Sequence, residues 1–238
     1  MAPRMFPRMQ LAGLLVVGGA ILLPSNLTTL VEAQDQEGWP ALLIEETWQR
    51  SEEALGTPTS PRRGENPYYL AGQSAVTNPD LELSLYGTRS GDITVYEFEG
   101  HTNLWTGLAG SPVAVTLRHR NNLMDLTGFA RMRAITRSNN LHVLRPVIGL
   151  ADGTLLVGSQ GIDNGPGNNF RTVEVAFANQ TWYLLDSEDV SVGNPVDEVD
   201  LSRVDQVGFA DLSPGGGHGS SGWSNIGPIQ IYATGVPR

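Results

Sequence analysis

Two tryptophans stand in settings that suit a ring facing solvent. Trp105 lies in His101-Thr102-Asn103-Leu104-Trp105-Thr106-Gly107, among amide, hydroxyl and glycine neighbours. Trp223 closes a glycine-rich stretch, Pro214 to Trp223, which also carries His218. A flat ring beside fixed polar groups can stack on one face of a sugar while those groups hold its hydroxyls. Trp105, Trp223, His218, Arg118 and Asn103 are therefore the candidate ligand contacts. Each has a structural reading too: Trp223 can plug the edge of a sandwich over a tight crossover, and Trp105 can sit in a core. Arg118-His119-Arg120 ends a strand-like run and could grip a carboxylate, bidentately through arginine, as a uronic acid would need. The same charges also serve as a solvated strand end on an acidic chain.

Catalytic chemistry finds less support. The histidines stand singly at 101, 119, 142 and 218, with no spacing that suits zinc. No Gly-x-Ser-x-Gly elbow occurs, so a serine hydrolase has no anchor. The glycine-rich stretch precedes a strand and lacks the lysine of a phosphate-binding loop. Asp and Glu are plentiful, yet no local pattern selects the pair a glycosidase requires. The acidic run Asp186, Glu188, Asp189, Asp197, Glu198 and Asp200 could supply oxygens to a structural calcium, or could simply be solvated. It does not follow the spacing of an EF-hand.

Composition narrows the partners. The chain has no cysteine and no lysine; all fifteen basic residues are arginine. Disulfides, thiolate catalysis and lysine bases are excluded. The formal net charge is −10, which disfavours nucleic acid, since a polyanion is bound by clustered cations. Asn179-Gln180-Thr181 fits the glycosylation acceptor pattern, which is short enough to arise by chance.

The elements that would position these residues are short strands. From Asp80 onward, β-rich runs recur between turn residues: Leu81–Tyr86, Asp92–Phe98, Val113–Arg118, Phe129–Thr136, Leu141–Leu150, Thr154–Val157, Thr172–Phe177, Thr181–Leu185, Val204–Phe209 and Pro228–Tyr232. Several alternate with period 2. Val113, Val115 and Leu117 share one face. Over Phe129 to Arg137, Arg131, Arg133 and Arg137 share a face with Phe129 and Ile135, while Ala130, Met132 and Ala134 form the other. Asp152-Gly153 between apolar runs marks a hairpin. Ten such runs without a helix among them predict an all-β antiparallel sandwich over 80–238.

The N-terminal part reads differently. Arg4 and Arg8, an apolar run from Leu11 to Pro24, and Val31-Glu32-Ala33 make residues 1–33 an export signal, with cleavage ahead of Gln34. The run is short for a membrane span, and Pro24 and Asn26 interrupt it. The expected location is therefore secreted or periplasmic, with no membrane span after cleavage. Residues 34–79 form an extension. A helix is predicted over 40–55, from Pro40 at its start, Ile44, Trp48 and Leu55 on one face, a Glu46–Arg50 pair, and Gly56 and Pro58 at its end. A Pro-rich linker follows over 57–79, in which Tyr68, Tyr69 and Leu70 can pin it to a surface.

The last third carries a resemblance. Val199-Asp200-Leu201-Ser202-Arg203-Val204-Asp205-Gln206-Val207-Gly208-Phe209, the glycine-rich loop after it and the closing run Ile226 to Tyr232 resemble the end of galactose-binding-like β-jelly rolls. Leu144 to Thr154 and His101 to Gly107 are similar to segments of small secreted bacterial proteins without an assigned activity. Carbohydrate-binding modules and jelly rolls like those of the complex I assembly-factor family share that fold. The resemblance implies a jelly roll over residues 80–238 and a non-catalytic carbohydrate-binding role. It leaves open a polysaccharide lyase or hydrolase using His101, His119 or His218 for proton transfer, and a structural domain of an envelope assembly.

Overall fold

A computed structural model describes residues 38–50, 68–139, 142–162, 169–217 and 222–238. The expected export signal with its cleavage point, residues 51–67 and His218 lie outside the described residues. Sixteen strands run in chain order: β1 (Leu42–Glu46), β2 (Tyr69–Leu70), β3 (Leu81–Tyr86), β4 (Thr94–Phe98), β5 (His101–Trp105), β6 (Val113–His119), β7 (Asn122–Asp125) and β8 (Arg131–Ser138). Then come β9 (Leu144–Leu150), β10 (Leu155–Gly158), β11 (Arg171–Ala176), β12 (Trp182–Leu185), β13 (Val192–Val196), β14 (Val204–Asp211), β15 (Ser224–Tyr232) and β16 (Thr234–Pro237). Among the described residues there is no α-helix, only four short 3-10 turns.

Every strand pairing is antiparallel. One sheet has seven strands in the order β11-β8-β15-β5-β4-β2, and β1 pairs with β15 beside β5. The other has nine, in the order β13-β12-β10-β9-β14-β6-β3, with β7 and β16 attached at β14. The chain is thus an antiparallel β-sandwich of the expected jelly-roll kind. The alternation seen in the sequence is what fills it. Val113, Val115 and Leu117 of β6 and Ala130, Met132 and Ala134 of the β8 region all face the inter-sheet core, beside Ile148, Leu156, Phe209 and Ile229. Residues of opposite parity, Ala114, Val147, Leu155, Val157 and Ala210, form a second apolar layer on the outer side of the nine-stranded sheet. The hairpin at Asp152-Gly153 forms as expected. Gly153 sits at φ +92°, and Asp152 accepts the Thr154 N–H at 2.9 Å.

The helix expected over 40–55 is not formed where the chain is described. Residues 42–46 are β1, with Ile44 opposite Ile231 and Glu46 opposite Ile229. The spacing of Ile44 and Trp48 serves a strand and the turn that leaves it, because sheet pairing outweighs a weak helical preference. Glu46 is fully buried and does not reach Arg50. Its carboxylate accepts N–H bonds from Trp48 (2.6 Å), Thr77 (2.9 Å) and Asn78 (3.2 Å), and the Thr77 hydroxyl at 2.8 Å. Trp48 occupies the left-handed region at φ 57° and donates its indole N–H to Gly227 O at 2.8 Å. Ile44, Trp48, Ala75 and Val76 all belong to the main core. The described part of the extension is therefore built into the sandwich rather than tethered beside it. Tyr68 and Tyr69 are buried as anchors, whereas Leu70 remains exposed.

Candidate functional site

The outer face of the seven-stranded sheet carries a row of arginines set among aromatic rings. Its parity follows from the register. Arg133 of β8 stands opposite Glu174 of β11 on one side and Gln230 of β15 on the other. Arg137 stands opposite Asn225, which in turn stands opposite Trp105 of β5. Asn103 pairs with Tyr96, and His101 with Phe98. All these side chains share one face, with period 2 along each strand.

Three zones lie along β8. At its start, the Arg131 guanidinium sits 4.5 Å from the Trp39 ring centre and 4.3 Å from that of Tyr232. Trp39 stacks on Phe129, 5.3 Å between centres and 3° from parallel. Those two rings are 46% and 59% exposed, a large apolar area to leave in water without a use. In the middle, Arg133, Ala134, Ile135, Thr172, Pro228 and Gln230 line a cleft of about 260 Å³. Ile135 and Pro228 make an apolar floor, and Arg133, Thr172 and Gln230 make a polar rim. At the far end, Arg137 lies 4.4 Å over Phe98 and 4.6 Å over Trp223. Each such cation–π contact contributes roughly 0.5–2 kcal/mol and holds the side chain in place. Arg131 and Arg137 are six residues apart, so the strip is about 20 Å long at ~3.3 Å per residue.

Beneath the far end lies an aromatic and amide layer. Trp105, only 2% exposed, stacks on Tyr68 at 5.3 Å and meets Tyr96 edge-on at 5.7 Å. Asn225 donates from Nδ2 to Asn103 Oδ1 (2.7 Å) and to the Tyr96 hydroxyl (3.0 Å). Asn103 Nδ2 donates onward to the carbonyls of Tyr96 (3.2 Å) and His101 (3.0 Å). A second buried network fixes the entry to β15. His142 Nδ1 lies 2.9 and 2.8 Å from the two Asp211 oxygens. Thr106 Oγ1 donates to Asp211 at 2.8 Å and accepts the Ser224 N–H at 2.9 Å. Gly222, at φ +112°, lies flat on the His142 ring, where a Cβ would come within 2.1 Å of Cδ2. This is what sets the position of Trp223.

The five contacts proposed from sequence are therefore not one site. Trp223 does stand half-buried on the outer face, against Arg137. Trp105 and Asn103 belong to the layer below; Asn103 is fully buried, and its amide is spent on backbone carbonyls. Arg118 is on the other sheet, paired with Glu82 (2.9 Å) and Asp205 (3.3 Å), so it faces away from Trp223. Arg120 shares Glu82 at 2.7 Å, which makes the Arg118-His119-Arg120 run part of a surface ion network. His218 lies outside the described residues. Trp39, Phe129 and Tyr232 were missed, although the arginine row of β8 and its shared face with Phe129 were visible as alternation.

Two members of the acidic run, Asp186 and Asp200, serve their own turns. Asp186 accepts the N–H groups of Asp189 and Glu188, both at 2.8 Å, which holds its carboxyl below the usual range. Asp200 accepts from the Ser202 hydroxyl (2.6 Å) and N–H (2.9 Å), with the same consequence, and caps the 3-10 turn into β14. Among the described residues, no three histidine or acidic side chains converge as a metal site.

No protein-family model matches the chain, and no curated protein matches it. Among solved structures, the chain is similar to the family 11 carbohydrate-binding module of a cellulosomal cellulase of Clostridium thermocellum. Identity is 12% over 75% of this chain and 94% of that one, with a TM-score of 0.40. It is similar to a family 11 module of the same organism in complex with a β-1,3-1,4-mixed-linked tetrasaccharide, at 10% identity over 82% of this chain and 99% of that one, TM-score 0.38. It is also similar to peanut lectin with a 9mer peptide, at 10% identity over 74% of this chain and all of that one, TM-score 0.32.

Proposed function

We propose that the chain is an exported, non-catalytic module that binds carbohydrate along the outer face of its seven-stranded sheet. The observation that carries this reading is the strip along β8: exposed Trp39 and Phe129 at one end, Trp223 at the other, and an amphipathic cleft between them. A pyranose has apolar C–H faces and a polar hydroxyl edge. Rings and the Ile135–Pro228 floor complement the first, while Arg133, Gln230 and Thr172 complement the second. An open strip suits a chain of sugars better than a single one.

Three clefts among the described residues favour binding over hydrolysis. The middle cleft has no carboxylate in its lining. A cleft of about 410 Å³ beside β11 has Glu174 alone, and one of about 380 Å³ beside Trp39 has Asp125 alone. Hydrolysis by the usual route needs two carboxyl groups facing each other across the bond. No helix among the described residues is long and apolar enough to cross a membrane. Export itself rests on the pattern of residues 1–33.

A glycan-array screen of residues 34–238, followed by titration with the best ligand, tests the reading. Trp39→Ala should weaken binding about tenfold, as loss of an anchoring ring does, and leave the melting temperature nearly unchanged. Undiminished affinity in that variant would count against the strip.

A further inference from the structure

We infer that the ligand of this face carries carboxylate groups, as in a polysaccharide of uronic acids; the inference rests on the carbohydrate-binding reading above. The starting point is a mismatch of charge. The chain carries −10 overall, yet three arginines, Arg131, Arg133 and Arg137, project from one strand onto one face. Two of them are clamped between rings, Arg131 by Trp39 and Tyr232, Arg137 by Phe98 and Trp223. Arg133, between them, is not. It is exposed, it lines the central cleft, and among the described residues no carboxylate comes within ion-pair distance of it.

The acids in register with it on the flanking strands are engaged elsewhere. Glu174 stands directly opposite Arg133 in the ladder, but its carboxylate turns toward Arg131 Nε at 3.6 Å. Glu45 accepts from Gln230 Nε2 at 2.7 Å, and Gln230 in turn accepts from the Tyr232 hydroxyl at 3.2 Å. One rim of the cleft is therefore tied into a Glu45–Gln230–Tyr232 chain. The other presents a guanidinium with five N–H donors and, among the described residues, no protein acceptor. A planar carboxylate matches that fork with two parallel hydrogen bonds, which a hydroxyl cannot do. The sugar ring bearing it would rest on Ile135 and Pro228, and its neighbours along the strip would meet the clamped rings. Arg131 and Arg137, held by rings, mark the two ends of the strip, about 20 Å apart at ~3.3 Å per strand residue.

Titration with polygalacturonate and with the same polymer after chemical reduction of its carboxyl groups isolates the charge from the sugar. Arg133→Gln tests the residue, and Arg203→Gln, an exposed arginine at the turn before β14, controls for net charge. The wild type should bind the polyuronate about tenfold more tightly than the reduced polymer, the loss expected for one charged hydrogen-bonding pair. Arg133→Gln should erase that preference, and Arg203→Gln should keep it. Equal or tighter binding of the reduced polymer, or a preference that survives Arg133→Gln, would overturn the carboxylate inference while leaving carbohydrate binding intact. Failure of the wild type to bind either polymer, or any other glycan on an array, would overturn both.

Discussion

At the scale of single residues, the decisive distinction is between rings that face water and rings that do not. Trp105 and Trp39 have comparable chemistry, but 2% and 46% exposure give them opposite roles. Trp105→Ala should cost about 3–5 kcal/mol of stability, as for a large buried aromatic, because it empties the space between Tyr68 and Tyr96. Denaturant titration checks this; a change below about 1 kcal/mol would return Trp105 to the candidate contacts. The sequence around Trp105 could not reveal its burial, since Asn103 and Thr106 look like a polar rim until Asn225 and Asp211 arrive from distant strands to bond them. Asp186 and Asp200 make a second prediction. Their carboxyls are depressed by N–H and hydroxyl donors, so the ordered turns gain from ionisation above the ordinary carboxylate value of about 3.9, and lose that gain as pH falls through the lower folded value. An NMR pH titration should place both midpoints below the ordinary value, with Glu188, Asp189 and Ser202 amides exchanging faster only in more acid solution. Midpoints at or above that value would contradict the assigned hydrogen bonds.

Elements with clear alternation were legible, and those held by distant partners were not. β3 runs over Leu81–Tyr86 as expected, and β6, β8 and β14 differ from expectation only at their ends, because apolar residues at every second position (Leu81, Leu83 and Leu85; Val113, Val115 and Leu117; Met132 and Ala134; Val207 and Phe209) commit each run to one core-facing side. β1 was hidden. It holds Ile44, which with Trp48 just beyond the strand has a spacing that equally fits a helix, and only pairing with β15, far along the chain, resolves the choice. β2, with two residues, and β13, whose side chains are mostly exposed, carry no alternation to read. This bears on how the chain can be divided. A fragment starting at Asp80 loses Ile44, Trp48, Ala75 and Val76 from the core and Tyr68 from beneath Trp105. It should show no cooperative thermal unfolding, whereas residues 34–238 should melt in a single transition. A well-folded fragment 80–238 would mean that β1 and β2 are dispensable cover.

For the whole molecule, the two outer faces have different characters. On the nine-stranded sheet, arginines 118 and 120 are paired with Glu82 and Asp205, and an apolar layer lies over β9, β10 and β14. On the seven-stranded sheet, arginines meet rings, and rings meet water. The proposed ligand site lies on the second face, and the absence of lysine leaves the thirteen arginines and five tryptophans of residues 34–238 as reporters of where the ligand binds. The most direct test follows tryptophan indole N–H and arginine Nε–H signals by NMR as the best ligand from the glycan screen is titrated into residues 34–238. Signals of Trp39, Trp223, Arg131, Arg133 and Arg137 should shift, while those of Trp48, Trp182, Arg118 and Arg120 should stay in place. Shifts confined to Arg118 and Arg120, or an unchanged spectrum at saturating ligand, would contradict the placement of the site.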